Sequence, residues 1–504
     1  MYKTLKADKD TYITNKFIKS TQLKSMTGSN VGQAGSMDLF KLYGVTMSGS
    51  VPNLELSRLL VHFDLDPLRS LLAEGKIDTS DKSFFCNLSL KDIYGGQPTP
   101  TNFKVTVFPL SASFNEGIGK DTTYYSDKDV TNWMSSSRES AWYVTGCGLA
   151  CSPLAGPGDY ITSSLNIPST EVIQNFVTGE EDLFVDVTKI VSATLSGEIP
   201  DSGFRIAFTG SLEGDNRSYF VKRFGTRHSY SEEKRPSLVF GYDDSVRDDT
   251  QNLELDTTCS IKLYNYSLGD FSNILSGNSY VGGKDCLFLR MHTSTSLGEY
   301  NQYFTGSQVS RGVHFITGAY TADVKIDSSN ALIKSALGQT GSYVKLTPIW
   351  TSLDETVTFT TGSTLEFKRP NRSSTRKTRK FLVTTEGMRE SYSDNQEVVL
   401  RINIFDQTSP LLKVTKVPVE TKGIALPKVY YSIKDAITNK VAIPFDTKKN
   451  SSKMSSDDSG MFFILDTSTL PVDKTYLIDV LIDVDGEKQV FKNVSPIFSV
   501  VKNS

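Results

Sequence analysis

The chain has 504 residues, 38% hydrophobic and 22% charged, with a formal net charge of −3. That length exceeds what one hydrophobic core holds and predicts about three domains, while the apolar fraction excludes a disordered chain. The near-neutral balance excludes the strongly basic domain that marks wholesale nucleic-acid binding and suits protein partners.

In chain order, the first block covers residues 1–246. Strand-sized apolar runs bounded by Gly, Pro, Asp or Asn recur at 11–13, 59–63, 103–108 and 204–208. Two helices are expected among them. One spans 67–75, with Asp66 as N-cap, Pro67 in the first helical position and Gly75 near the end; the other spans 170–177. Residues 146–159 are rich in Gly, Pro and Ser and read as a long loop. A boundary follows Tyr242-Asp243-Asp244-Ser245, and the acidic run to Asn252 reads as a solvated linker.

The second block, 253–370, shows strand-like runs at 260–264, 286–290, 313–317, 322–326 and 356–359 and one short helix over 330–337. Residues 368–380 then form a basic linker with no apolar residue except Pro370. The third block, 381–504, has about seven strand-like runs, among them 397–404, 428–432, 460–465, 476–484 and 489–491, with Asp485-Gly486 as a hairpin turn. This is the count and spacing of an immunoglobulin-like sandwich without its Cys–Trp–Cys core.

The chemistry-bearing residues are sparse. Cys86, Cys147, Cys151, Cys259 and Cys286 are too few and scattered for a disulfide framework. The pair Cys147 and Cys151 lacks two further ligands for zinc and reads as free thiols in a loop. The histidines are His62, His228, His292 and His314; no metal spacing joins them, and His62, inside an apolar strand, reads as a hydrogen-bonded, half-buried residue. Neither a GxSxG elbow nor a P-loop occurs, so no enzyme is expected, and no catalytic, cofactor-binding or metal residue is assigned. The N-terminus has no apolar signal segment, and no stretch reaches the roughly 20 apolar residues of a membrane helix.

Three features keep two readings each. Trp133, Trp142 and Tyr143 could form a sugar-stacking platform, or pack in the core or against another subunit. The basic residues Lys368, Arg369, Arg372, Arg376, Lys377, Arg379 and Lys380 could form a contact patch for an acidic subunit or for phosphate, or a solvated hinge. Asp243, Asp244, Asp248 and Asp249 could hold a structural calcium, the one cofactor considered, or lie in a solvated linker.

An ordered series of motifs in the first block resembles the DNRLRE domain, a β-sandwich related to carbohydrate-binding modules. The series runs Asp10-Thr11-Tyr12-Ile13, Ser57-Arg58-Leu59-Leu60-Val61-His62-Phe63-Asp64-Leu65 with the helix after it, Trp133 and Ala141-Trp142, Val185-Asp186-Val187-Thr188, Gly203-Phe204, and Arg235-Pro236-Ser237-Leu238-Val239-Phe240. The stretch around 114–160 departs from that family as an insertion. A second resemblance is to virion structural proteins of large tailed bacteriophages. It is carried by Ser218-Tyr219-Phe220-Val221-Lys222-Arg223-Phe224 followed by Arg235-Pro236 and Tyr242-Asp243-Asp244, by Thr317-Gly318-Ala319-Tyr320 and Ile349-Trp350-Thr351-Ser352-Leu353-Asp354-Glu355-Thr356-Val357, and by Ser459-Gly460-Met461-Phe462-Phe463 before Thr475-Tyr476.

The strand-like runs, with these resemblances, imply an all-β chain of three tandem β-sandwich domains: a jelly-roll-like N-terminal domain, a middle β-sandwich and a C-terminal Ig-like sandwich. The resemblances also imply a structural part of a phage tail, neck or baseplate, assembled in the host cytoplasm. Its partners would be other virion proteins and copies of itself, not nucleic acid and not a membrane. Two further readings stand beside this one: an adhesin or fibre-type protein that binds a host-surface glycan, and a cell-surface or secreted module, which would require a signal peptide.

Overall fold

Strands carry nearly all the regular structure in a computed structural model that describes residues 1–19, 22–93, 100–127, 129–148, 158–267, 270–311, 314–369, 379–407, 423–457, 459–484 and 486–502. β-Branched and aromatic residues concentrate in short runs, and such residues fit a pleated, half-buried surface. The fold is all-β, built from several sheets. The chain forms two compact units, one of Lys3–Leu72 and Phe84–Gly241, the other of Met1–Tyr2, Ala73–Ser83 and Tyr242–Ser504.

The first unit is built on two sheets. One has the order Tyr2–Lys6, Ser237–Gly241, Phe85–Leu90, Leu183–Asp186; the other runs Val172–Phe176, Phe103–Pro109, Phe204–Phe208, Val51–His62, Ser36–Ser48, Tyr219–Gly225, with Lys9–Thr14 also paired to Val51–His62. Phe204–Phe208 and Ser237–Gly241 are buried at every position, as central strands covered on both faces must be. The helix Thr188–Leu195 packs on Phe85–Leu90 through a stripe that includes buried Ile190, Val191 and Ala193.

Two helix expectations in this unit meet different outcomes. The first helix runs Asp66–Ala73, and the capping carboxylate belongs to Asp64, whose Oδ1 accepts the Asp66 N–H at 3.0 Å. Residues 170–177, expected as a helix, instead hold the strand Val172–Phe176, in antiparallel register with Phe103–Pro109 from Val172 opposite Val107 to Phe176 opposite Phe103. Stacking of the Phe103 and Phe176 rings at 4.8 Å favours the strand, an instance of tertiary pairing overriding local propensity.

In the second unit, the middle block has one seven-stranded sheet, ordered Cys259–Tyr264, His314–Val324, Gly298–Arg311, Leu287–Thr295, Tyr343–Thr351, Thr358–Thr361, with Leu365–Lys368 also on Tyr343–Thr351. Leu287, Leu289 and Met291 alternate inward from the central strand. The other layer of this core includes the helix Ala331–Thr340, which buries Ile333 and Leu337. This helix starts at Asn330, whose side chain accepts the Leu332 N–H at 2.9 Å, and stops at Gly341, whose φ of 82° a side chain would resist.

The C-terminal block is a sandwich. Phe381–Glu386, Glu397–Asp406, Gly460–Asp466 and Ser455–Asp457 form one sheet. Ser391–Ser393, Phe498–Val501, Lys474–Val484, Val429–Asp435 and Val441–Ile443 form the other, with Glu487–Phe491 on Lys474–Val484. Tyr431 and Phe463, one from each sheet, stack at 3.9 Å in its core. Near the start of its strand, Tyr476 donates through Oη to the Pro471 carbonyl at 2.6 Å, the tyrosine-corner arrangement of Ig-like sandwiches.

The acidic stretch expected to be a solvated linker is packed. Val246 and Asp248 donate their N–H groups to Ser455 Oγ and Ser456 Oγ at 3.1 and 2.9 Å, and Asp248 and Asp249 are buried. Backbone pairing to the C-terminal block supplies the partners that a polar segment needs to leave water.

Candidate recognition surface

Trp133 and Trp142 lie in one buried cluster with Ile13, Leu56, Leu60, Leu110, Phe114 and Cys147. The Trp142 indole N–H donates to the Asn132 carbonyl at 2.9 Å, and the Arg58 guanidinium lies over the Trp133 ring. Of the three aromatic residues singled out there, only Tyr143 faces solvent, at 66% exposure. Cys147 is fully buried there, and burial pushes its thiol up to about 12, which disfavours the reactive thiolate. Cys151 and the basic residues Arg372, Arg376 and Lys377 lie outside the described residues. Lys368, Arg369 and Lys380 are exposed, although the Lys368 backbone N–H donates to the Leu253 carbonyl at 2.9 Å. Arg379 is paired to Asp406 at 2.8 Å.

The four linker aspartates are each engaged by protein donors. Asp243 accepts from Ser245 and Asn450, Asp244 pairs with the Met1 amino group, Asp248 accepts from Thr250, and Asp249 from Arg247 and Ser260. Among the described residues no group of three His, Cys, Asp or Glu is placed to hold a metal ion, and no helix is long and apolar enough to cross a membrane.

Charged residues of the first unit are spent on holding it together. Arg58 grips Glu213 at 3.0 and 2.8 Å, Arg223 grips Asp38 at 2.6 and 2.9 Å, and Arg227 grips Glu116 with two contacts of 2.7 Å. The fully buried amines of Lys41 and Lys222 meet Asp215 and Asp92. A buried charge is tolerated only when paired and hydrogen-bonded, so each pair fixes two distant segments. His62 belongs to this set, its Nδ1 2.6 Å from Asp8 and its Nε2 3.6 Å from Asp201. Burial pushes this histidine down, but the hydrogen bonds and negative charges of Asp201 and Asp8 outweigh it, and its pKa is pushed up to about 9.

Exposed aromatic residues gather elsewhere, in the middle block. Two short ribbons, Tyr266–Ser267 with Asp270–Phe271 and Leu275–Ser276 with Ser279–Tyr280, precede the long hairpin of Gly298–Arg311 and His314–Val324. Side-chain amides clamp them to it. Gln308 donates to Asn273 Oδ1 at 3.0 Å and to the Ile316 carbonyl at 2.8 Å, while its Oε1 accepts the Gly283 N–H at 2.9 Å. Asn273 Oδ1 also accepts the Gly318 N–H at 2.8 Å, and Asn265 donates to the Ser272 carbonyl at 2.7 Å. The Tyr320 hydroxyl, at the end of a buried ring, accepts from Ile274 N–H and donates to the Val281 carbonyl. Gly318 has φ 71°, and a Cβ there would fall 2.7 Å from the Asn265 carbonyl oxygen.

Outward from this clamp, Tyr266 and Phe271 stack at 4.6 Å and Tyr264 lies 6.1 Å from Phe271, with the three rings 59%, 49% and 37% exposed. Leu275, Tyr280 and Phe315 are also exposed. Exposed apolar clusters of this kind mark interaction sites. The sequence signal was present but weak: Tyr264 and Tyr266 at a spacing of two, then Phe271, in a stretch rich in Asn, Ser and Gly.

No family model matches the chain, and no curated protein matches it. Among solved structures the chain aligns with the native conformation of E. coli alpha-2-macroglobulin over 99% of its own length, at 10% identity and a TM-score of 0.12. It spans 35% of that chain, and a likeness this weak carries no argument.

Proposed function

We propose that this chain is a structural component of a tailed-phage virion, in the tail, neck or baseplate region, and that it works through contacts with neighbouring proteins rather than by catalysis. The observation that supports this reading is the clamped aromatic surface of the middle block. Tyr264, Tyr266 and Phe271 are exposed, whereas the amides around them, Asn265, Asn273 and Gln308, are each held in internal hydrogen bonds that clamp the ribbons. A sugar site needs aromatic faces together with polar groups free to take hydroxyls; a protein interface needs a rigid aromatic centre. The phage assignment itself rests on the sequence resemblances across the three blocks.

The test is quantitative and cross-linking mass spectrometry of purified phage particles. The chain is expected at a fixed copy number set by rotational symmetry, with cross-links from the 264–280 region to another virion protein. Absence from the particle overturns the proposal. Binding of the intact chain to a glycan array, lost in Tyr266→Ala, would replace it with the adhesin reading.

A further inference from the structure

Asp10 is fully buried, and of its two carboxylate oxygens only Oδ2 has a partner, the Arg227 N–H at 2.5 Å; Oδ1 has none. Its neighbour is a second carboxylate. Glu116 Oε1 accepts the Asp10 backbone N–H at 3.0 Å, and Glu116 takes both arms of the Arg227 guanidinium. The His228 imidazole is 3.5 Å from Glu116, and Asp8, bonded to His62, adds negative charge near Arg227. Arg227 thus serves both carboxyl groups, Glu116 through its guanidinium and buried Asp10 only through its backbone N–H, so an ionised Asp10 has no cationic group in hydrogen-bonding contact.

Around this point three segments meet at close quarters. Fully buried Asn30 donates to the Glu116 and Thr131 carbonyls at 2.8 and 2.9 Å and accepts the Gly119 N–H at 2.7 Å. A Cβ on Gly32 would lie 2.1 Å from the Glu116 carbonyl oxygen, and one on Gly119 would lie 1.9 Å from that of Asn30. Residues 116–119 thus pack tightly against 30–32, while Glu116 is tied to strand Lys9–Thr14 through the Asp10 N–H and to the 226–229 turn through Arg227.

We propose that Asp10 is a proton-operated latch of the first unit: protonated, it holds residues 114–119 and the 226–229 turn against strand Lys9–Thr14, and its ionisation releases them. A neutral carboxyl costs far less than a carboxylate in a site with one unmet oxygen. Burial, and after it the Glu116 charge, push its pKa to about 7 against the hydrogen bond and charge of Arg227. Because the folded site holds the proton more tightly than an open one, opening grows easier as pH rises from about 4 towards 7 and levels off above it.

Hydrogen exchange of the intact chain at pH 5 and pH 8, corrected for intrinsic rates, tests this. The opening equilibrium of 9–14, 114–119 and 226–229 should rise at least tenfold between the two pH values in the wild type and stay flat in Asp10→Asn. Difference infrared spectra between the same pH values should show a protonated-carboxyl component in the wild type that is missing from the spectrum of Asp10→Asn. Glu116→Gln, which removes the competing charge, should move the transition to lower pH and provides the test if Asp10→Asn does not fold. An equal rise in wild type and Asp10→Asn, protonated-carboxyl absorption identical in the two, or an unmoved transition in Glu116→Gln overturns the proposal.

Discussion

At the scale of single residues, the first unit shows how polar groups hold a β-fold when each has its partner. Asn30 is an example, satisfied through both amide hydrogens and through its oxygen in a dry site. His62 makes a contribution that depends on pH in the sense opposite to a depressed carboxylate. Its folded-state pKa, about 9, lies above the ordinary 6.5, so its stabilisation is complete below pH 6.5 and disappears as pH rises through 9. His62→Gln should therefore lower stability at pH 6 by roughly 1–2 kcal/mol, after allowance for its partial exposure, with little difference from the wild type at pH 9.5. Urea unfolding at the two pH values checks the sign; an equal loss at both would assign His62 a packing role alone. Its position in an apolar strand was legible in the sequence, but the flanking Asp8 and Asp201 were not, because one is 54 residues away and the other 139.

At the scale of elements, local chemistry and long-range pairing divide the work. The helix Ala331–Thr340 starts and stops on signals written in the chain, Asn330 and Gly341. Asn330→Ala should cost about 1 kcal/mol, measured as a shift of the denaturation midpoint with unchanged slope. The ribbons that carry Tyr266 and Phe271 depend instead on Gln308, a residue of the neighbouring hairpin. Gln308→Ala leaves the Gly283 N–H, the Gly318-bound amide of Asn273 and the Ile316 carbonyl short of partners. It should raise hydrogen exchange of 265–283 well above that of the helix 331–340; uniform exchange across both would remove the clamp from the account. The misread helix at 170–177 belongs here too. Nothing local forbids a helix there, and the stacking of Phe176 on Phe103, with the ladder to Phe103–Pro109, decides for a strand.

At the scale of the whole molecule, stability rests on several cores, among them one around Trp133 and Trp142 in the first unit, one in the middle block and one in the C-terminal sandwich. Phe463→Ala removes one half of the Tyr431 stack and should cost about 3–5 kcal/mol, with near-ultraviolet circular dichroism showing the loss of tyrosine asymmetry before the far-ultraviolet strand signal falls. Strand-like runs and their turn-limited spacing pointed by themselves to the all-β class and to many of its strands, because strand propensity and alternation are local properties of the chain. The burial of Trp133 and Trp142, the packing of the 246–249 stretch, the shared arginine of Asp10 and Glu116, and the exposed rings at 264–271 were decided only by tertiary structure. Burial and charge pairing depend on which distant segments arrive beside a residue, and neither a tryptophan nor a carboxylate carries that information in its immediate neighbours.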